Sequence, residues 1–264
     1  MKKSIFALIL IMASVSAFSQ DTKNLVYDTN AEVRKVGSFK SVDISNAITL
    51  YLSQGTELAV AISVENGDKD KVRTEVKNGV LKIYYESENH FWGMHFGRDI
   101  RVKAYVTIGD VEKIVSSGAS QVRIVDKISA TDLKVIVSGA SSLKGEIKAN
   151  NLKLDLTGAS SFIATLNCNS LRVGISGASS ANIKGTTDLL DVDATGASNL
   201  KAFDLAANTC NADASGASTI RVNVIKEFNK VQASGASSIH YRGEAAIKNF
   251  EVSGASSVKR DQTK

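Results

Sequence analysis

The chain predicts an all-β protein. The expected architecture is a right-handed parallel β-helix, with coils of about 19 residues and Ser/Thr-Gly-Ala-Ser corners, preceded by a mixed or antiparallel β-region. Three observations carry that expectation. First, the tetrapeptide recurs eight times, with glycines at Gly118, Gly139, Gly158, Gly177, Gly196, Gly216, Gly235 and Gly254, spaced 21, 19, 19, 19, 20, 19 and 19 residues apart. A short, regular period of this kind marks a solenoid whose coils touch only their neighbours. Second, apolar and polar residues alternate ahead of the glycines, as in Leu133, Val135, Val137 and Leu152, Leu154, Leu156, which is the signature of a strand with one buried face. Third, the alternatives lack their signals. Asn-Gly hairpin turns are missing from 118–257, no segment there has the helical spacing a βαβ crossover needs, and the chain holds no proline to interrupt a ladder.

Within each repeat a second apolar run starts four residues after the glycine, at Val122, Leu143, Phe162, Ala181, Leu200, Ile220, Ile239 and Val258. Polar residues such as Asn150-Asn151 and Thr186 to Asp188 then close the coil. Stacking like strand on like strand over seven intervals gives a rod on the order of 34 Å long. Glycine supplies a positive φ or a close approach at the corner. Alanine fits where a larger side chain would not, and the third-position serines, from Ser120 and Ser141 to Ser256, are placed to form a hydroxyl ladder or to bond the turn backbone.

The N-terminal part reads differently. Residues 1–19 have the form of a secretory signal, with Lys2 and Lys3 before an apolar core from Ile5 to Val15 and small residues at Ala17-Phe18-Ser19. That apolar core is short for a bilayer span. Residues 20–110 form the N-terminal β-region, with 111–258 as the repeat solenoid and 259–264 as a polar tail. Alternation marks strands at Phe39 to Ile44, Ala47 to Leu52, Leu58 to Val64 and Ile100 to Ile108, and Asn78-Gly79 between Val72 to Val76 and Val80 to Tyr85 is a strong hairpin signal. This region is expected to cover the N-terminal end of the stack, because an open strand edge invites aggregation.

The entry Gly37-Ser38-Phe39-Lys40-Ser41-Val42, the Val72 to Tyr85 hairpin, the Ile100 to Ile108 strand and the Ser-Gly-Ala-Ser coils together resemble the family of secreted Bacteroidetes proteins known as "putative auto-transporter adhesin head GIN domain". The resemblance implies an exported, largely β-helical protein of adhesive role. No segment has the form of a translocating barrel.

Candidate chemistry is sparse. The segment 88–99 carries His90, Phe91, Trp92, Met94, His95 and Phe96. It reads either as a binding tip whose aromatics stack on a sugar or partner or as a connection packed on the body. His90 and His95 lack a nearby third ligand, so no metal and no cofactor is expected. Cys168 and Cys210 differ in phase and lie about two coils apart, beyond disulfide reach, and are expected to be free buried thiols. The corner serines have no recognisable His or Asp partner, and His240 is the one histidine of the repeats. Coil lengths of 19 to 21 leave little room for the long loops that carry β-helix enzyme sites.

Charge excludes little but guides the rest. Without Lys2 and Lys3, 30 basic and 27 acidic residues remain, so nucleic acid is not an expected partner. The sequence therefore points to a non-enzymatic module, exported to the periplasm, cell surface or medium, that binds a glycan or a surface protein. The alternatives are a polysaccharide-active enzyme and an envelope structural protein that assembles, for example as a homodimer, through its solenoid ends. Ice binding by the hydroxyl ladder ranks below these, since the serines mark a corner.

Overall fold

The computed structural model describes residues 28, 30–86 and 100–262. Their strands are β1 (Glu32–Val33), β2 (Ser41–Ile44), β3 (Ile48–Gln54), β4 (Ala59–Glu65), β5 (Val72–Lys77), β6 (Val80–Tyr85), β7 (Arg101–Ile108) and β8 (Lys113–Ser116), then β9 (Gln121–Val137), β10 (Ser142–Leu156), β11 (Ser161–Ile175), β12 (Ser180–Ala194), β13 (Asn199–Ala214) and β14 (Thr219–Ala233), and finally β15 (Ser238–Arg242), β16 (Ala246–Ile247), β17 (Phe250–Val252) and β18 (Ser257–Arg260). All belong to one sheet, and one 3-10 turn at Lys69–Lys71 is the sole helical element among the described residues.

From β9 onward the chain is a parallel β-helix. Leu143 lies over Val122 and under Phe162, and Leu152 over Leu133 and under Leu171, so like positions stack as the period requires. Each coil is one long ladder and not two separate strands, because backbone pairing continues around the bends; between β10, β11 and β12 only Asn150, Asn169 and Asp188 fall out of register. The inward columns form a continuous core in which volumes compensate: Phe162 stacks on Ala181, and Phe228 on Cys210. Between β9 and β10 and between β12 and β13 the irregular intervals are absorbed at one bend, whereas β13 and β14 shift register at three places, Ala202/Ala206, Ala207/Thr209 and Cys210/Asn211. The 21-residue coil carries its extra residues between Arg123 and Lys127, and the 20-residue coil carries its extra residue between Lys201 and Leu205. Both bulges sit at the same bend.

The corner explains the repeat. All eight glycines have φ between +61° and +78°. From Gly158 to Gly254, a Cβ would fall within 2.5–2.9 Å of the preceding glycine's carbonyl oxygen. That oxygen is occupied, since it accepts the N–H of the next coil's alanine, as in Ala178 to Gly158 at 2.7 Å and Ala197 to Gly177 at 2.8 Å. The third-position serines point inward and are buried from Ser120 to Ser237. One pair bonds hydroxyl to hydroxyl, Ser160 to Ser179 at 3.1 Å. Further along, the hydroxyls of Ser218, Ser237 and Ser256 donate instead to the carbonyls of Ala194, Ala214 and Ala233 in the coil before, at 2.9–3.0 Å.

The stack begins earlier than the first repeat glycine. β8 lies on β2 and β2 on β6, all parallel; β9 lies on β3 and β3 on β7, also parallel. Two coils without Gly-Ala-Ser thus precede the repeats, and residue 111 is no spatial boundary. The period did not reveal them because the corner of the β2–β3 coil is built from Asn46 and Ala47, at φ of 64° and 61°, with the Ala47 N–H donating to the Gly118 carbonyl at 3.0 Å. Beyond them, β4 and β5 pair antiparallel with β7 and β6, and β1 pairs with β4. The expected hairpin turns at Asn78-Gly79, both at positive φ. These strands cover the N-terminal edge of the stack. Lys103 helps hold them, bonding Glu65 at 2.6 Å and Asp28 at 3.5 Å. The Asn30 N–H and the Ser63 hydroxyl hold the Asp28 carboxyl below its ordinary pKa, with Lys103 adding to the effect.

Where the chain leaves the stack at Gln54, its side chain replaces a missing strand. The amide Nε2 donates to the Ser129 carbonyl at 2.8 Å, and Oε1 accepts the Ser129 N–H at 2.7 Å. The two cysteines are free and buried, in different inward columns, and burial pushes both thiols above their ordinary pKa.

Two outcomes follow from this geometry. Gly177→Ala places a Cβ 2.5 Å from the Gly158 oxygen, whereas at Gly139 the nearest atom is 3.3 Å away. Both substitutions bear the cost of positive φ, about 1–2 kcal/mol, and Gly177→Ala adds about 1–3 kcal/mol of overpacking. Chemical denaturation should rank it clearly below Gly139→Ala. For the thiols, alkylation without reductant should leave Cys168 and Cys210 unmodified in the folded protein and label both after unfolding; a mass two hydrogens low in the intact chain would contradict the free assignment.

Candidate binding surface

Outward side chains inherit the register of the core. The residue five before each corner glycine stacks into one external column, running Lys113, Lys134, Lys153, Arg172, Asp191, Asn211. Four successive cations thus stand one strand spacing apart, about 4.8 Å. Two residues on, Asp155 stands in the adjacent column and faces them: Lys134 and Lys153 reach its carboxylate at 3.6 and 3.8 Å, and Arg172 reaches Asp191 at 3.0 Å. Asn151 donates to Asp132 at 2.7 Å. Of these groups Lys134, Lys153, Arg172, Asp191, Asn151 and Asp132 line a groove of about 1080 Å³ that runs beside the Asn150 bend, bounded at its N-terminal end by Lys40 and Glu112 and floored in part by Leu133 and Leu152.

The chemistry of the groove is that of recognition through paired, half-exposed charges and amides. Each exposed ion pair contributes little, about 0–1 kcal/mol, so the groove gains from repetition. The third-position serines from Ser120 to Ser237 are buried and bonded to backbone or to each other, which removes them from any external array, ice-binding or nucleophilic. His240 does have a carboxylate beside it, Asp261 at 3.1 Å, a contact the sequence reading did not foresee. The neighbouring hydroxyls of Ser257 and Ser238 bond each other at 3.3 Å. Among the described residues no three His, Cys, Asp or Glu side chains converge on a metal position.

The aromatic segment with His90, Phe91, Trp92, Met94, His95 and Phe96 lies outside the described residues, as does the segment 1–19. The cation column was within reach of the sequence. Counting back five residues from Gly118, Gly139, Gly158 and Gly177 gives Lys113, Lys134, Lys153 and Arg172, so the phase that found the core also finds the surface.

No curated protein matches the chain in sequence. Solved structures share its fold. A crystal structure described as "a putative adhesin" from Parabacteroides merdae superposes with a TM-score of 0.76 at 16% identity, covering 88% of this chain and 95% of that one. One described as "putative adhesin" from Parabacteroides distasonis gives 0.76 at 17%, covering 88% and 96%. A third from P. distasonis, described as "putative lipid binding protein", gives 0.72 at 19%, covering 89% and 98%. A family model matches residues 38–245, from the strand that opens the stack almost to its last coil. The chain belongs to the family described as "Putative auto-transporter adhesin, head GIN domain".

Proposed function

We propose that the protein is a non-enzymatic, exported binding module of adhesin type, a rod that offers repeated polar side chains to a glycan or surface-protein ligand. The observation that carries this reading is the in-register external row Lys134–Lys153–Arg172 along a groove of about 1080 Å³. Repetition at one strand spacing suits a ligand that itself repeats, because several weak contacts then act together. Membership of an adhesin-named family supports the same reading. The alternative, a polysaccharide-active enzyme, needs a carboxylate free to act on substrate. Asp110, Glu112, Asp132 and Asp191 in the groove are each engaged by a cation or an amide, which favours binding.

The test is an array of glycans and matrix proteins probed with the mature chain and with Lys153→Ala/Arg172→Ala. Retention of at least one ligand class is expected, weakened about tenfold in the double variant, or about 1.4 kcal/mol. Release of shortened saccharide from a polysaccharide, with no retained ligand, would overturn the reading.

A partner at the C-terminal end of the stack is part of the proposal. Phe250 and Val252 occupy core columns over Val231 and Ala233, yet are 55% and 40% exposed. A second copy of this chain docking there would cover them and pair the last strand edges. Sedimentation should show self-association that Phe250→Glu reduces; a strict monomer at high concentration would rule the homodimer out.

A further inference from the structure

A second external face, on the other side of the corner, has a different composition. The residue five after each repeat glycine forms a column through β9 to β18 that includes Arg123, Lys144, Lys201, Arg221, His240 and Lys259. Two neutral residues, Ile163 and Asn182, interrupt it. The column between it and the corner carries hydroxyls and amides, among them Ser142, Ser161, Asn199, Thr219, Ser238 and Ser257. No acidic residue occupies either column.

The contrast with the groove is electrostatic. There the cations face Asp155 and Asp191. Here Arg221 bonds an amide, Asn199 at 3.2 Å, Arg123 stands over the Tyr51 ring at 5.9 Å, and the ion pairs of the described residues leave out Lys144, Lys201 and Lys259. Like charges on adjacent strands repel across about 4.8 Å. Arg123 with Lys144, and Lys201 with Arg221, carry that repulsion on adjacent strands, and Lys259 follows beyond His240, which has a carboxylate beside it, Asp261 at 3.1 Å. A row of this kind is complementary to a row of anions at matching spacing, and the fold fixes the row without any ordering cost on binding.

We propose that this face binds a linear acidic polysaccharide, its carboxylates or sulfates meeting the cation column and its hydroxyls meeting the serine, threonine and asparagine column. The inference rests on the binding-module reading and names the ligand class. Three features select a polysaccharide among polyanions. The hydroxyl and amide column runs the whole length beside the charges, which suits a hydroxyl-rich chain. The column continues beyond Arg123 into Tyr51, which stacks at 5.1 Å on the buried Tyr105, so the described residues of the face offer one aromatic at its end and no series of stacking platforms such as single-stranded nucleic acid uses. Ile163, 46% exposed, is the one large apolar side chain in the column, which gives a lipid bilayer little to bury. The span from Arg123 to Lys259 is seven strand spacings, on the order of 34 Å, long enough for several sugars at once.

The experiment measures binding of the mature chain to polygalacturonate and chondroitin sulfate, with dextran, duplex DNA and phosphatidylglycerol vesicles as comparison probes. Binding of an acidic polysaccharide but not dextran is expected, tightening with oligosaccharide length and weakening at least roughly tenfold from low to high salt as the charges are screened. Lys144→Gln/Lys201→Gln/Arg221→Gln should lose at least about tenfold in affinity with unchanged thermal unfolding, and Lys153→Ala/Arg172→Ala should retain it. Equal binding by the triple variant, no binding of either acidic polysaccharide, or tighter binding of DNA or vesicles overturns the proposal. If a ligand sensitive to Lys153→Ala/Arg172→Ala persists while acidic polysaccharides are refused, this inference fails and the binding-module reading stands; loss of both ligand types removes both.

Discussion

The structure depends on how closely successive backbones pass at one corner. There the glycine carbonyl of one coil accepts the alanine N–H of the next at 2.7–2.8 Å from Gly139 through Gly235, and the glycine above leaves no room for a Cβ. A side chain at that position would push two coils apart along the rod axis, and every column in the molecule would lose register with it. The inward columns therefore stack by like position because the corner fixes the rise, and the outward columns stack because the inward ones do. Core packing, hydroxyl bonding and the presentation of surface charge are three results of one backbone contact.

That dependence explains which parts of the molecule were legible in the sequence. The corner writes itself as a fixed tetrapeptide, so Gly158, Gly177 and Gly196 announce the period, and the alternation of Leu152, Leu154 and Leu156 announces the buried face. The thiols followed from the same phase, since Cys168 and Cys210 fall in different columns. The two coils before the repeats were not legible as coils. The corner of the β2–β3 coil uses Asn46 and Ala47 in the left-handed region, with no glycine to mark it, and residues 55–112 separate that coil in the chain from the strand β8 that lies on it. Only spatial pairing of β2 with β8 and of β3 with β9 reveals that they belong to the stack.

The surface columns are written in the same phase as the core. A strand offers alternate residues to solvent, so counting five residues either side of a corner glycine yields two columns, one led by Lys113 and the other by Arg123. They differ in a way composition conceals. The first meets aspartates, Asp155 from the neighbouring column and Asp191 within its own, and the second is flanked by hydroxyls. A modest net charge therefore coexists with two adjacent columns that hold cations and no acidic residue of their own, because the fold sorts the charges by phase.

The detour after Gln54 has a consequence for how the molecule assembles. Neighbouring repeat coils are joined by chain segments of about one period, but the contact of Ala47 with Gly118 closes a segment of 71 residues. Ring closure over that length costs about 1 kcal/mol more than over a single coil, and local closures come first when contacts differ in sequence separation. The repeats are thus the natural nucleus, able to begin at any interior coil and spread by neighbour contact. The first coils and their antiparallel cover join last, with the Gln54 amide closing the seam against Ser129. During synthesis the amino-terminal third emerges earliest and must wait for its template, which makes that segment the natural client of whatever keeps unfolded chains from aggregating.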